Sequence, residues 1–179
     1  VPEGITNSCD AAFICGKADS TPVLAQIAEE ILTQDGVAIS IQNGRGHAQT
    51  LAHRLGRERT LGGINTHGAW RDNMGTHWVG RGSITIGSLD ESKPSANAER
   101  LIGFLDQAGL SPEWSQDINM SIWKKLLVNV AINPVCSIAG VRNGALLEVP
   151  ELWTQAISAM YEAATAVSYT HLRAHETSL

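Results

Sequence analysis

The chain has 179 residues, 43% of them hydrophobic, enough to bury the core of one domain or parts of two. Its 13 Lys and Arg against 18 Asp and Glu give a net charge of -5, with no basic run of the kind that tracks a phosphate backbone, so nucleic acid and anionic membrane are not expected partners. Three cysteines, Cys9, Cys15 and Cys136, are too few and too oddly numbered for a disulfide framework and read as reduced thiols in a cytoplasmic protein. No apolar run approaches bilayer-spanning length, and the opening VPEGITNSCD has neither the basic nor the apolar region of a signal peptide.

Along the chain, CDAAFICGK (9–17) predicts a strand ending in Gly and Lys, and Thr21-Pro22 predict a helix N-cap and first position. Leu24, Ile27, Ala28, Ile31 and Leu32 keep helical spacing until Asp35-Gly36, where GVAISI (36–41) begins a β-branched strand bounded by Gln42-Asn43-Gly44. Ala48, Leu51, Ala52 and Leu55 mark a second helix closed at Gly56, and TLGGINTH (60–67) a third strand. Strand, helix, strand, helix, strand is the alternation of a parallel sheet covered by helices, hence α/β architecture. THWVGRGSITIG (76–87) then suggests an antiparallel hairpin turning at Gly80-Arg81-Gly82 on a sheet edge.

A polar loop, LDESKPSAN, leads into a helix with Ala98, Leu101, Ile102, Leu105 and Ala108 on one face, and PEWSQD (112–117) offers one more short strand. From Asp117 onward only helices are expected, one over WKKLLVNVAINP and another opening at Pro150. That change predicts a domain boundary near 116–117. SYTHLRAHETSL (168–179) neither continues an apolar face nor builds a cap, and is expected to be foreign to the fold.

In WKKLLVNVAINP (123–134) aliphatic residues go nearly round the helix, the pattern of a buried helix, while Lys125, Asn129 and Asn133 recur at i, i+4 and i+8 as one polar line. One reading is structural: the lysine stem packs, its amine reaches water, and the amides serve backbone groups near Pro134. The other sets the line in a cleft between domains, where an ammonium protonates a carbonyl oxygen that gains charge and the amides hold an oxygen-rich ligand. His171 and His175, one turn apart, make half of a metal site at most and lie in the suspect tail, so no metal is expected. Trp70, Trp78 and Trp114 read as partly buried packing, and His67 at a strand end has no assigned role.

WKKLLVNVAINP followed by GVRNGALLE (140–148) resembles the signature of the ketopantoate reductases, and ICGKADS, SIQNGRG, GGINTHGAWRD and GRGSITIG resemble that family's other motifs in the same order. The resemblance covers roughly Cys9 to Val167. It implies the C-terminal half of a Rossmann-type parallel-sheet domain (1–116) followed by the start of an all-helical substrate domain (117–167), and reduction of 2-dehydropantoate to pantoate with NADPH on the pathway to coenzyme A. It further implies Lys125 as the general acid, Asn129, Asn133 and Asn143 on the substrate, Asn43 between nicotinamide and substrate, and Lys17 and Ala69 along the cofactor. The partner implied is a small 2-keto acid, with the oligomeric state left open.

Two family features are missing from the sequence: the Gly-x-Gly-x-x-Gly turn at one end and, at the other, the substrate-binding serine and the acidic residue near the cofactor that the resemblance places on later helices, so the chain is expected to be truncated at both ends. No Gly-x-Gly-x-x-Gly occurs, so the chain is expected to begin inside the Rossmann domain without its pyrophosphate-binding turn, and to be inactive as a fragment. The competing readings are a related reductase acting on another 2-keto acid, and a non-catalytic nucleotide-binding or helical module with a structural polar line.

Overall fold

The computed structural model describes residues 4–176, with side chains as far as residue 166. Two compact units divide the chain at Ile122 and Trp123. In the first, β1 (Cys9–Ile14), α1 (Thr21–Ile31), β2 (Leu32–Ser40), α2 (His47–Leu55) and β3 (Thr60–Asn65) alternate as expected, followed by β4 (Gly68–Asp72), β5 (Gly75–Gly80), β6 (Ile84–Ser88), α3 (Ala96–Gln107) and β7 (Pro112–Trp114). The main sheet has the order β1-β2-β3-β6-β7, with β1, β2 and β3 mutually parallel, β6 antiparallel to β3, and β7 parallel to β6.

β2 shows why this sequence makes a three-layer unit. Its residues from Gly36 to Ser40 are all buried, as a strand covered on both faces must be. Ala38 packs with Ala25 and Ala28 of α1 and Leu51 and Leu55 of α2, while its neighbours Val37 and Ile39 pack with Ala98, Leu101 and Leu105 of α3. The period-2 alternation of a strand thus sends successive residues into two different cores.

Three local expectations are corrected by the structure. α1 ends at Ile31 rather than at Asp35, because Leu32 already pairs with Cys9 and Arg59 holds the Thr33 and Gly36 carbonyls at 2.7 and 3.0 Å. Thr21 is the first helical residue and not the cap; its N–H donates to the Ala18 carbonyl, closing a 3-10 turn over Ala18–Ser20, and its hydroxyl lies 2.9 Å from the same oxygen. The hairpin joins β4 to β5 and turns at Asn73-Met74, where Asp72 Oδ1 accepts the Met74 and Gly75 N–H groups at 2.8 and 3.1 Å. Gly80-Arg81-Gly82 is instead the exit toward β6. A Cβ on Gly82 would stand 2.5 Å from the Thr66 carbonyl carbon, so a close approach, not a turn, requires that glycine.

The helices after Asp117 are α4 (Ile118–Ala139), α5 (Ala145–Glu148) and α6 (Pro150–Glu176). The first turn of α4 belongs to the first unit: Ile118 is fully buried with Ala48 and Leu89, over the cross-strand pair Gly62 and Gly87. In the second unit Ala131 and Cys136 of α4 pack with Leu146 of α5 and Ala156 of α6. α4 continues past Pro134, which costs it one backbone donor.

α4 corrects two further expectations. It is not a buried helix: beyond Ile118, only Ala131 and Cys136 are buried along it, and Ile138 is 89% exposed. With 22 residues and a mean hydropathy of 1.2 over its best window, it is also long and apolar enough to cross a membrane. Adjacent Lys124 and Lys125, with Asn129 and Asn133 below them, weigh against a lipid setting, since each would be costly in hydrocarbon. Trp70 and Trp78, expected as partly buried packing, are about half exposed on the hairpin, Trp70 stacked on His77 and Trp78 edge-on to His67.

Candidate functional site

In an open parallel sheet, ligands bind beyond the carboxyl ends of the strands. Here β1, β2 and β3 end side by side, and the residues after them line a hollow of about 520 Å³ that includes Cys15, Lys17, Gln42, Asn43 and Asn65. Lys17 and Asn43 are thereby brought together, both exposed. Ala69 stands apart, exposed on β4 opposite Trp78. Partial burial pushes the Cys15 thiol above its ordinary value, so it is not a poised nucleophile.

The β2–α2 loop owes its shape to Gly44 and Gly46, at φ 98° and 88°, which only glycine adopts without strain. Behind the hollow lies a polar network that sequence reasoning missed. Gln42 Nε2 lies 2.9 Å from the Gly16 carbonyl, 3.3 Å from that of Lys17 and 3.0 Å from Thr21 Oγ1, while its Oε1 accepts from Ser40 Oγ at 3.1 Å. His47 places Nδ1 3.0 Å from Thr21 Oγ1 and Nε2 3.1 Å from the Asn43 carbonyl. No local sequence signal pointed to it; in the folded chain Thr21 and Ser40 are 2% and 3% exposed, so their hydroxyls need partners.

The second unit carries the other candidates. Lys125 and Asn129 are half-buried on α4, Asn133 is exposed, and Asn143 is exposed in the α4–α5 loop, where its carbonyl accepts the Leu146 N–H at 3.2 Å. Burial lowers the Lys125 ammonium below its ordinary value of 10.5, bringing a proton donor closer to neutral pH. Among the described residues no cluster of three His, Cys, Asp or Glu side chains is arranged to hold a metal. His171 and His175 lie outside the residues whose side chains are described.

His67 has a structural explanation. Its Nδ1 accepts the Gly82 N–H at 3.0 Å and its Nε2 donates to the Leu110 carbonyl at 3.0 Å, with the ring edge-on to Trp78 at 5.1 Å. Both nitrogens are spent on holding the hairpin exit and the α3–β7 loop to the end of β3.

Parallel strands with helices on both faces, a polar hollow at their carboxyl ends and a following helical unit define a Rossmann-type α/β protein with an appended all-helical segment. The chain belongs to the ketopantoate reductase family: residues 2–91 match the ketopantoate reductase PanE/ApbA family, and 117–177 its C-terminal counterpart. The 2-dehydropantoate 2-reductase of Archaeoglobus fulgidus is 36% identical over 145 residues, covering 80% of this chain and 48% of the relative. That of Pyrococcus horikoshii is 32% identical over 154 residues, covering 86% and 50%. The chain spans about half the length of the curated relatives it matches.

Among solved structures, 2-dehydropantoate 2-reductase from Geobacter metallireducens superposes with a TM-score of 0.78 at 22% identity, over 88% of this chain and 52% of the other. D-mandelate dehydrogenase, solved with NADH and anilino(oxo)acetate, gives 0.81 at 22% identity, over 94% and 54%. At such identities these two likenesses speak to the fold.

Proposed function

We propose that this protein reduces 2-dehydropantoate to pantoate with NADPH, a cytoplasmic step toward coenzyme A, with residues 1–116 serving the cofactor and 117–167 the substrate. The observation that carries the reading is Lys125: an ammonium half-buried on an apolar helix, its pKa lowered by desolvation, at the head of a line of amides in a chain of this family. The hollow fits the nicotinamide end of a dinucleotide in position and in its polar lining, while the Gly-x-Gly-x-x-Gly turn that holds a pyrophosphate is not in this sequence. When bound, NADPH supplies the hydride that the ketone carbon accepts.

The remaining chemistry belongs to the chain. As the ketone oxygen takes up the electron pair of its double bond, Lys125 Nζ gives it a proton, and the positive charge stabilises the oxygen while the bond breaks. Asn129, Asn133 and Asn143 hold the substrate carboxylate and hydroxyl by their amides. Asn43 separates substrate from nicotinamide and Lys17 lies along the cofactor in the hollow, while Ala69, on β4 outside the hollow, has only the family resemblance to support a cofactor role.

The test is NADPH oxidation by the full-length gene product with ketopantoate and a panel of other 2-keto acids. Lys125→Ala is expected to lower kcat by about 10²–10⁴-fold with a smaller change in KM, and near-wild-type kcat would remove the proton-donor role. Preference for a different keto acid would replace the substrate. Absence of any saturable change in nicotinamide fluorescence would favour a non-catalytic module.

A further inference from the structure

Thr21, Gln42 and His47 are polar side chains that the proposed chemistry leaves unused, yet they converge directly behind the hollow. The Asn43 carbonyl can only accept, so the 3.1 Å contact requires a proton on His47 Nε2. The single Thr21 hydroxyl proton serves either the Ala18 carbonyl, at 2.9 Å, or His47 Nδ1, at 3.0 Å. In the second case His47 is the neutral Nε2–H tautomer; in the first, Nδ1 also carries a proton and donates to the threonine. Either way the bond to Asn43 persists.

From Thr21 the network continues to the other loop. Gln42 donates to Thr21 Oγ1 and to the Gly16 carbonyl, with the Lys17 carbonyl also within reach. His47 therefore ties the backbone of Asn43 to that of Gly16 and Lys17 across two strand ends.

We infer that His47 is a positioning residue for the reduction: it holds the Asn43 carbonyl and, through Thr21 and Gln42, the Gly16-Lys17 backbone, so that Asn43 and Lys17 keep a common register along the hollow. This rests on the activity proposed above. The residue touches no reacting atom, and its effect is carried entirely by backbone geometry. Misplacement of an orienting group by an ångström is enough to slow a reaction strongly.

The test uses the full-length protein and the variants His47→Ala, His47→Gln and Thr21→Val, followed by steady-state kinetics and by amide hydrogen exchange of the peptides covering 16–18 and 43–46. The glutamine amide reaches the place of Nε2 and keeps the bond to Asn43. His47→Ala is expected to lower kcat by about tenfold or more and to speed exchange in both peptides, and His47→Gln to restore most of both. Wild-type kinetics and exchange in His47→Ala, or no recovery in His47→Gln, would overturn the inference. Should His47→Ala not fold, Thr21→Val carries the comparison: faster exchange at 16–18 with lower kcat supports the linkage, and unchanged values refute it. A wild-type protein without ketopantoate reductase activity would sink the proposed function, while the exchange measurements would still decide whether His47 orders the two loops.

Discussion

Lys125 illustrates how a residue's chemistry and its stability cost are linked. In the unfolded chain its pKa is near 10.5, and in the folded state burial lowers it. Between the two values the unfolded state binds more protons, so stability rises with pH across that window, and below the folded value the cost of the buried charge is fully present. Lys125→Met is therefore expected to melt no lower than the parent at neutral pH and to lose the stabilisation on alkaline titration, even as it abolishes proton donation; thermal melts at pH 7 and pH 10 check this. The line Lys125, Asn129 and Asn133 was legible from periodicity because a single helix sets their spacing. The network of Thr21, Gln42 and His47 was not, because its members come from three separate segments and no local pattern links them. His67 shows the same limit: its partners Gly82 and Leu110 are brought to it by sheet pairing alone.

At the scale of elements, the errors in reading the sequence share one cause. Leu32 to Asp35 continue a helical period yet form the start of β2, and Gly80-Arg81-Gly82 looks like a turn yet leads from β5 to β6. In the first place pairing with the distant β1 outweighs a local preference worth under about 1 kcal/mol per residue, and in the second the Gly82 N–H is taken by His67 rather than by a turn partner. The packing of α4 on the sheet makes a similar point with glycine. A Cβ on Gly87 would stand 2.5 Å from the Ser115 carbonyl oxygen and 2.8 Å from Ile118 Cβ. Gly87→Ala is accordingly expected to destabilise the first unit by about 1–3 kcal/mol, read as a lower urea midpoint with an unchanged slope. Loss of the Arg59 clamp should act in the same direction, since Arg59→Ala takes a donor from the part-buried Thr33 and Gly36 carbonyls; a cost of about 1–3 kcal/mol is expected in the same measurement.

For the whole molecule, the division at Ile122 and Trp123 falls inside a helix rather than in a linker, and it places Ile118 and Ile122 with the sheet. A fragment of residues 1–124 should thus melt cooperatively, and one of 1–116 at a clearly lower temperature, because it lacks a fully buried isoleucine whose removal costs about 2–5 kcal/mol. Equal melting temperatures would show that the first turn of α4 contributes nothing to the first unit. α/β class, the alternation of the first three strands with helices along the chain, the helical character after Asp117 and the family were all readable from the sequence. Each depends on short-range periodicity or on co-linear motifs, which are properties of the chain itself. Only the tertiary structure decided which strands pair across β3, β6 and β7, where α1 gives way to β2, and that Thr21, Gln42 and His47 meet behind Asn43. Those outcomes depend on contacts between residues far apart in sequence, whose energy appears only when the sheet has formed.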